Sequence, residues 1–183
     1  MEMSETIHSN DTGPFPHTLQ WGNKIVMVAV HLDANYIFAK PMQNKTDGER
    51  LEVYQKIIDR MRRAKLGLKK HVLDNKISKE YRERIAKNNM THKLAAPGNH
   101  RTLMAKQAIQ TWKAHMVSNL NGVDKKFPIC CWCQIVSQTE LTLNLLWQSN
   151  IVPNISAYAH VHGQHDYMRN PFAPIGCLSL IHI

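Results

Sequence analysis

Acidic residues are scarce where this chain is most charged. The 183 residues hold 14 Asp or Glu against 23 Lys or Arg. Between positions 40 and 113, 19 basic residues face 7 acids, and from 99 to 113 there is no acid at all. Such a segment is expected to meet a polyanion, because each Lys or Arg set on a phosphate releases condensed counterions. The structural alternative is a solvated helix face balanced by Glu49, Glu52, Asp59, Glu80 and Glu83. Long apolar runs are lacking too. The longest, such as residues 25–30, fall far short of the roughly 20 needed to cross a bilayer, and no N-terminal stretch has the layout of a signal peptide. The expected setting is intracellular, nuclear or cytoplasmic and not secreted, with no membrane partner.

Cysteine is sparse and unevenly placed. Cys130, Cys131 and Cys133 crowd around Trp132, with Cys177 far off. This is neither a disulfide framework nor the paired ligand knuckles of a zinc site; reduced thiols at a helix start are expected. Internal repeats and low-complexity tracts are also lacking. A hydrophobic content of 43% with 20% charged residues excludes wholesale disorder.

The apolar patterns outline an α/β chain. Residues 23–32 and 35–41 read as buried strands joined at Asp33-Ala34, preceded by a short strand over 4–8 that ends near Asn10-Asp11. Thr46 with Glu49 has the spacing of a capping box. The helix behind it carries Leu51, Tyr54, Ile57, Ile58, Met61 and Leu66 on one side, and Gly67 is expected to close it. A strand over 69–73 leads to Asp74, Ser78 caps a shorter helix to about 88, and a strand over 92–95 stops at Pro97-Gly98. Helices over 99–120 and 128–148 follow, and an irregular His-rich segment lies beyond Pro153. Hairpin strands followed by alternating strand and helix predict a mixed sheet. Residues 1–150 are expected to form the core-like domain and 151–183 a truncated C-terminal extension.

Two-metal phosphoryl transfer needs clustered carboxylates as bridging ligands. Asp74, at a strand end, is one candidate, with a turn residue before Ser78 as its plain alternative. Asn10-Asp11 would add a second ligand if the first strand pairs beside it. His160, His162, His165 and Asp166 have ligand-like density but weak spacing. Trp112 and Trp132, at helical spacing, read as core.

The elements YIFAKPMQN, HVLDN, PGNHR with QAIQTWKAHMV, KKFPICCWCQIV, LTLNLLWQSNIVPNISAYAHVHG and DYMRNPFAPIGC resemble the integrase core of copia-type retrotransposons, as in retrotransposon polyproteins of diatoms. The resemblance spans about residues 10–177. It implies a ribonuclease-H-like fold, a five-stranded mixed sheet flanked by helices. It also implies a Mg²⁺- or Mn²⁺-dependent polynucleotidyl transfer joining element DNA to host DNA, with DNA as partner and a homodimer as the assembly.

That family uses two aspartates and a glutamate. Its first aspartate falls on Asn10, in Asn10-Asp11-Thr12-Gly13-Pro14-Phe15-Pro16; its second falls on Asp74; its glutamate falls on Lys106. Two of three acids are replaced, one by a cation. An ammonium about 4 Å from a divalent ion costs several kcal/mol, so no bound metal and no strand transfer are expected. A Lys106–Asp74 ion pair is expected in its place. The alternatives are an active metal-dependent transferase or nuclease using Asp11 and Asp74, and a non-enzymatic dimerisation remnant in which the helix over 128–148 makes the contact. Expected nucleic-acid contacts are Arg62, Arg63, Lys69, Lys70, Lys93, His100, Arg101 and Lys113, the pair at 100–101 lying at a helix start that favours phosphate.

Overall fold

The computed structural model describes residues 4–16, 22–73, 77–94, 104–124 and 127–172. Three strands come first: β1 (Thr6–Asp11), β2 (Ile25–His31) and β3 (Tyr36–Met42), with β2 antiparallel to both neighbours. Every residue of β2 is buried, as its unbroken apolar run requires of a strand covered on both faces. Strand alternation sorts the side chains. Ile25, Met27 and Ala29 enter one apolar cluster, while Val26, Val28 and Val30 enter another. The turn between β2 and β3 reverses at Asn35, whose φ of 52° is a left-handed value that Asn tolerates. Asp33 has a different task. Its carboxylate accepts from the Ser4 amide and hydroxyl and from the Glu5 amide, tying down the entry to β1.

Helix α1 (Asp47–Arg63) starts behind Thr46, as expected, but the capping box is not made. Glu49 reaches further back, to the Gln43 and Asn44 amides. The helix also stops before Gly67. Lys65 takes the left-handed position (φ 56°), with Lys65 N–H bonding Arg62 C=O and Leu66 N–H bonding Met61 C=O. This is a Schellman closure with lysine where glycine is usual. Helix α2 (Lys79–Lys87) is capped by the Ser78 hydroxyl and ends in the same way at Asn89.

β4 (Lys70–Leu73) lies parallel to β1, and β5 (Thr91–Leu94) parallel to β4. The sheet order is therefore β3-β2-β1-β4-β5, mixed and five-stranded. Tyr54, Ile57, Ile58 and Met61 of α1 pack with Tyr81 and Ile85 of α2 on one face. On the other face lie α3 (Met104–Asn121) and α4 (Trp132–Leu146), through Ile109, Trp112, Met116, Trp132 and Ile135. The helix expected from 99 is described only from Met104, and the strip expected over 177–183 lies outside the described residues. The start expected at Pro128 is a 3₁₀ turn, Ile129–Cys131, which runs into α4.

α4 also closes the outer edge of β3. Asn144 accepts from the Ile37 amide and donates to the Ile37 carbonyl, both at 2.8 Å, and Glu140 accepts from the Ala39 amide at 2.8 Å. These contacts consume edge groups that would otherwise template another strand. The segment beyond 153, expected to be irregular, contains a short helix, α5 (Ala157–His162). Its Ala157 is fully buried against the α1-side core, and the Ala157 amide bonds Trp147 C=O.

Candidate functional site

The parallel pairing of β1 with β4 sets Thr6 beside Lys70 and His8 beside Val72. The C-terminal ends of both strands, Asn10-Asp11 and Leu73, therefore meet at one end of the sheet. Asp74 and the two residues after it lie outside the described residues. Pairing continues past β1: Thr12 exchanges bonds with Val26, through its amide and its hydroxyl, and Phe15 N–H bonds Lys24 C=O. Phe15 then packs against Trp132 at 4.5 Å and edge-on to Trp112 at 6.3 Å.

Asn10 and Asp11 face opposite ways. Asn10 is paired with Val28, which belongs to the α3–α4 side, and Asp11 with Met27, which belongs to the α1 side. Asp11 is largely covered, and Arg50 of α1 donates to its Oδ2 from Nε at 2.7 Å and from a terminal nitrogen at 2.5 Å. The pair borders a cleft of about 40 Å³, lined also by Ser9, Asn10, Asp47 of α1, Leu73, Ser78 and Tyr81. Beneath it Ser9 Oγ meets His71 Nε2 at 2.8 Å. Both residues are buried, and the His71 ring stacks on Tyr54. Burial, reinforced by His8 and His92, pushes His71 down to about 3, so its ring is neutral at physiological pH. With the His71 ring wholly buried and stacked on Tyr54, this Ser–His contact is structural.

Across the sheet the setting differs. Asn10 has only its carboxamide, whose Oδ1 accepts from the Asp11 amide at 2.9 Å. Lys106 is half-buried in the first turns of α3. Lys113, two turns on and hence on the same flank, sets its Nζ 5.8 Å from the Phe15 ring centroid. That flank of α3 is thus the one beside the continuation of β1. His8, on this face, is lowered to about 4 by burial and by Lys70.

The expected basic residues do not converge on one place. Lys69 and Lys70 lie at the start of β4, the opposite end of the strands from Asn10, and Arg62 and Arg63 close α1 beside them. Four residues of strand separate the ends by about 13 Å. Lys69 pairs with Glu5 at 2.6 Å, Arg62 donates to Asn88 C=O at 2.9 Å and Arg63 to Asp59 C=O. Lys93 is exposed on β5, at the sheet's other edge. His100 and Arg101 lie outside the described residues.

Two charged positions escaped the sequence reading. Arg60 of α1 lies over the Phe38 ring and forks onto the buried Glu140 of α4. The signal was present: Glu140 is the sole charged residue of α4, and a lone carboxylate in an apolar helix needs a partner.

Among the described residues no group of three His, Cys, Asp or Glu is arranged to hold a metal. His160 and His162 contact Ser149 and Tyr36, and Asp166 accepts from the Met168 and Arg169 amides. Mg²⁺ and Mn²⁺ want several anionic oxygens converging on one point; among the described residues the strand end offers the Asn10 carboxamide, the exposed Asp47 and an Asp11 carboxylate already bound by Arg50, a set that does not fit them. Among the described residues no helix is long and apolar enough to cross a membrane.

No protein-family model matches the chain, and no curated protein sequence matches it. Solved structures do. The catalytic core domain of BIV integrase superposes with a TM-score of 0.63 at 14% identity, covering 86% of this chain and 93% of that one. A chain of the simian T-cell lymphotropic virus intasome in complex with the PP2A regulatory subunit B56 gamma gives 0.67 at 14% identity, covering 97% of this chain and 60% of that one. The ribonuclease-H-like architecture, a mixed five-stranded sheet flanked by helices, is thus the fold of this protein.

Proposed function

We propose, from the integrase-core fold as premise, that this chain is an integrase-core-like nucleic-acid-binding domain of copia-type retrotransposon ancestry, related to DNA integration and without strand-transfer activity. Residues 1–150 constitute the core-like unit, and the residues from 151 on are an extension whose helix α5 docks onto it. The observation that carries this reading is the segregation of charge at the β1 end. The face shared with α3 offers Asn10 and a helix whose first turns bear Lys106, while the nearest described carboxylate, Asp11, lies across the sheet under Arg50. Two metal ions stabilising attacking and leaving oxygens account for most of the catalysis in this chemistry. The alternative reading, an active transferase using Asp11 and Asp74, would require Asp11 to give up its two-nitrogen contact with Arg50.

Binding would rest on phosphate contacts without base readout, with Lys106 and Lys113 on the α3 flank and Lys69, Lys70 and Lys93 on the β4–β5 side as the cationic surfaces. Duplex DNA titrated at rising salt provides the test. Binding at low salt that weakens steeply, with similar affinity for unrelated sequences, is expected; no binding at low salt overturns the proposal. Substituting one phosphate-contacting lysine should lower the salt slope by about 1. The same domain is expected to form a homodimer, read by light scattering on the purified chain.

A further inference from the structure

The three thiols at the entry to α4 take no part in the site described above. Cys130 and Cys131 belong to the 3₁₀ turn Ile129–Cys131, Trp132 opens α4, and Cys133 is its second residue. In 3₁₀ geometry side chains three apart come close to eclipse, and in an α turn their Cβ atoms are about 5–6 Å apart. Cys130 and Cys133 therefore stand one above the other, at a backbone separation a disulfide can span with a small adjustment. None of these three cysteines is in a disulfide, and all three are half-buried. Cys131 is pushed up by partial desolvation, by its hydrogen bond with Cys130 and by the proximity of Cys130 and Cys133, so the three side chains form one cluster.

Cys133 has different surroundings. It lines an open cleft of about 400 Å³ beside the β3 edge, together with Lys40 and Arg60. That opening leaves Cys133 within reach of a small solute entering the cleft. The backbone here is held in place. Trp132, between the two cysteines, is 2% exposed and packs against Phe15.

We propose that Cys130 and Cys133 close into an intramolecular disulfide when the chain meets a small disulfide oxidant such as oxidised glutathione. Cys133 attacks, Cys130 resolves, and Cys131 stands by. The Cys133 thiol gives its proton to solvent, and its thiolate attacks one sulfur of the oxidant. A mixed disulfide forms and one glutathione thiolate leaves, taking up a proton. The Cys130 thiol gives up its proton, its thiolate attacks the Cys133 sulfur, and the second glutathione leaves as a thiolate that takes up a proton. Two protein thiols are oxidised to one disulfide and one oxidant molecule is reduced to two thiols.

The test is treatment of the full chain with oxidised glutathione, followed by alkylation of remaining thiols, intact mass and peptide mapping. The expected result is loss of two hydrogens, no retained glutathione, and a Cys130–Cys133 link. Repetition in Cys177→Ser and in Cys131→Ser should give the same link, whereas Cys130→Ser should retain glutathione on Cys133. A Cys130–Cys131 link, or stable glutathione on all three thiols of the unsubstituted chain, would overturn the assignment; the mapping of the natural sequence decides this without any variant.

Discussion

At the C-terminal end of β1 two consecutive residues meet opposite surroundings. Asp11 turns toward α1, where Arg50 covers it; Asn10 turns toward α3, whose described charged residues are Lys106 and Lys113. Their contrast shows that a carboxylate close in sequence is not one available in space. A register shift of one residue would exchange the faces, but Thr12, Phe15 and the whole β1–β2 ladder fix the register. The α1 face is latched by arginine on carboxylate at two places, Asp11 and Glu140. The α3 face at the strand end carries cations.

Acid should break both faces at once, with the largest effect. His71 on the α1 face and His8 on the α3 face are held neutral, at about 3 and about 4, by burial first, with His8 acting on His71 and Lys70 on His8. Both lie below the unfolded value of about 6.5. Their contribution is complete above pH 6.5, and falls as the pH drops from there toward 4 and 3, because only the unfolded chain takes up the protons. Denaturant titrations at pH 7 and pH 4 should differ by on the order of 5 kcal/mol. Equal stability at the two values would refute the burial of these rings.

Removing Glu140 is next. Glu140→Ala leaves Arg60 without its partner and the Ala39 amide unsatisfied, an expected loss of about 3–5 kcal/mol by urea unfolding. Asp11→Ala should cost about 2–4 kcal/mol by the same measurement, since Arg50 then lies partly buried and unpaired. Asn10→Ala on the opposite face should stay within about 1 kcal/mol. If the two neighbours prove equally costly, the asymmetry of the faces is not real.

The smallest expected change is the one aimed at function. Asn10→Asp with Lys106→Glu restores acids on the α3 face, and should produce saturable Mn²⁺ binding at millimolar concentration by calorimetry, absent from the parent. Failure of the double variant to bind would place further lesions elsewhere in the site.

Much of the fold was readable from short-range pattern. The β2 run, the Ser78 cap and the apolar stripe of α1 each announce themselves within a few residues, because burial and capping act locally. The ends were less legible. Lys65 and Asn89 both close helices in the left-handed region, and of the two only asparagine advertises that conformation. α5 is six residues of Ala, Tyr, Val and His, too short for a periodic signal, and it is stabilised by docking through Ala157. At the site, the identities at positions 10 and 106 could be read directly. That Asp11 belongs to Arg50, and Glu140 to Arg60, could not, since those contacts join positions 39 and 80 apart. The basic residues counted along one segment were divided by the sheet between its two ends, a division that composition does not encode.

The most direct measurement is Mn²⁺ titration of the isotopically labelled chain, followed through paramagnetic broadening of the Asn10, Asp11, Leu73 and Asp74 amide resonances. The account predicts only weak, non-saturating broadening spread over exposed acids, with Asn10 and Asp74 responding no more than the rest. Saturable broadening at sub-millimolar Mn²⁺, centred on Asp74 and Asn10, would contradict it.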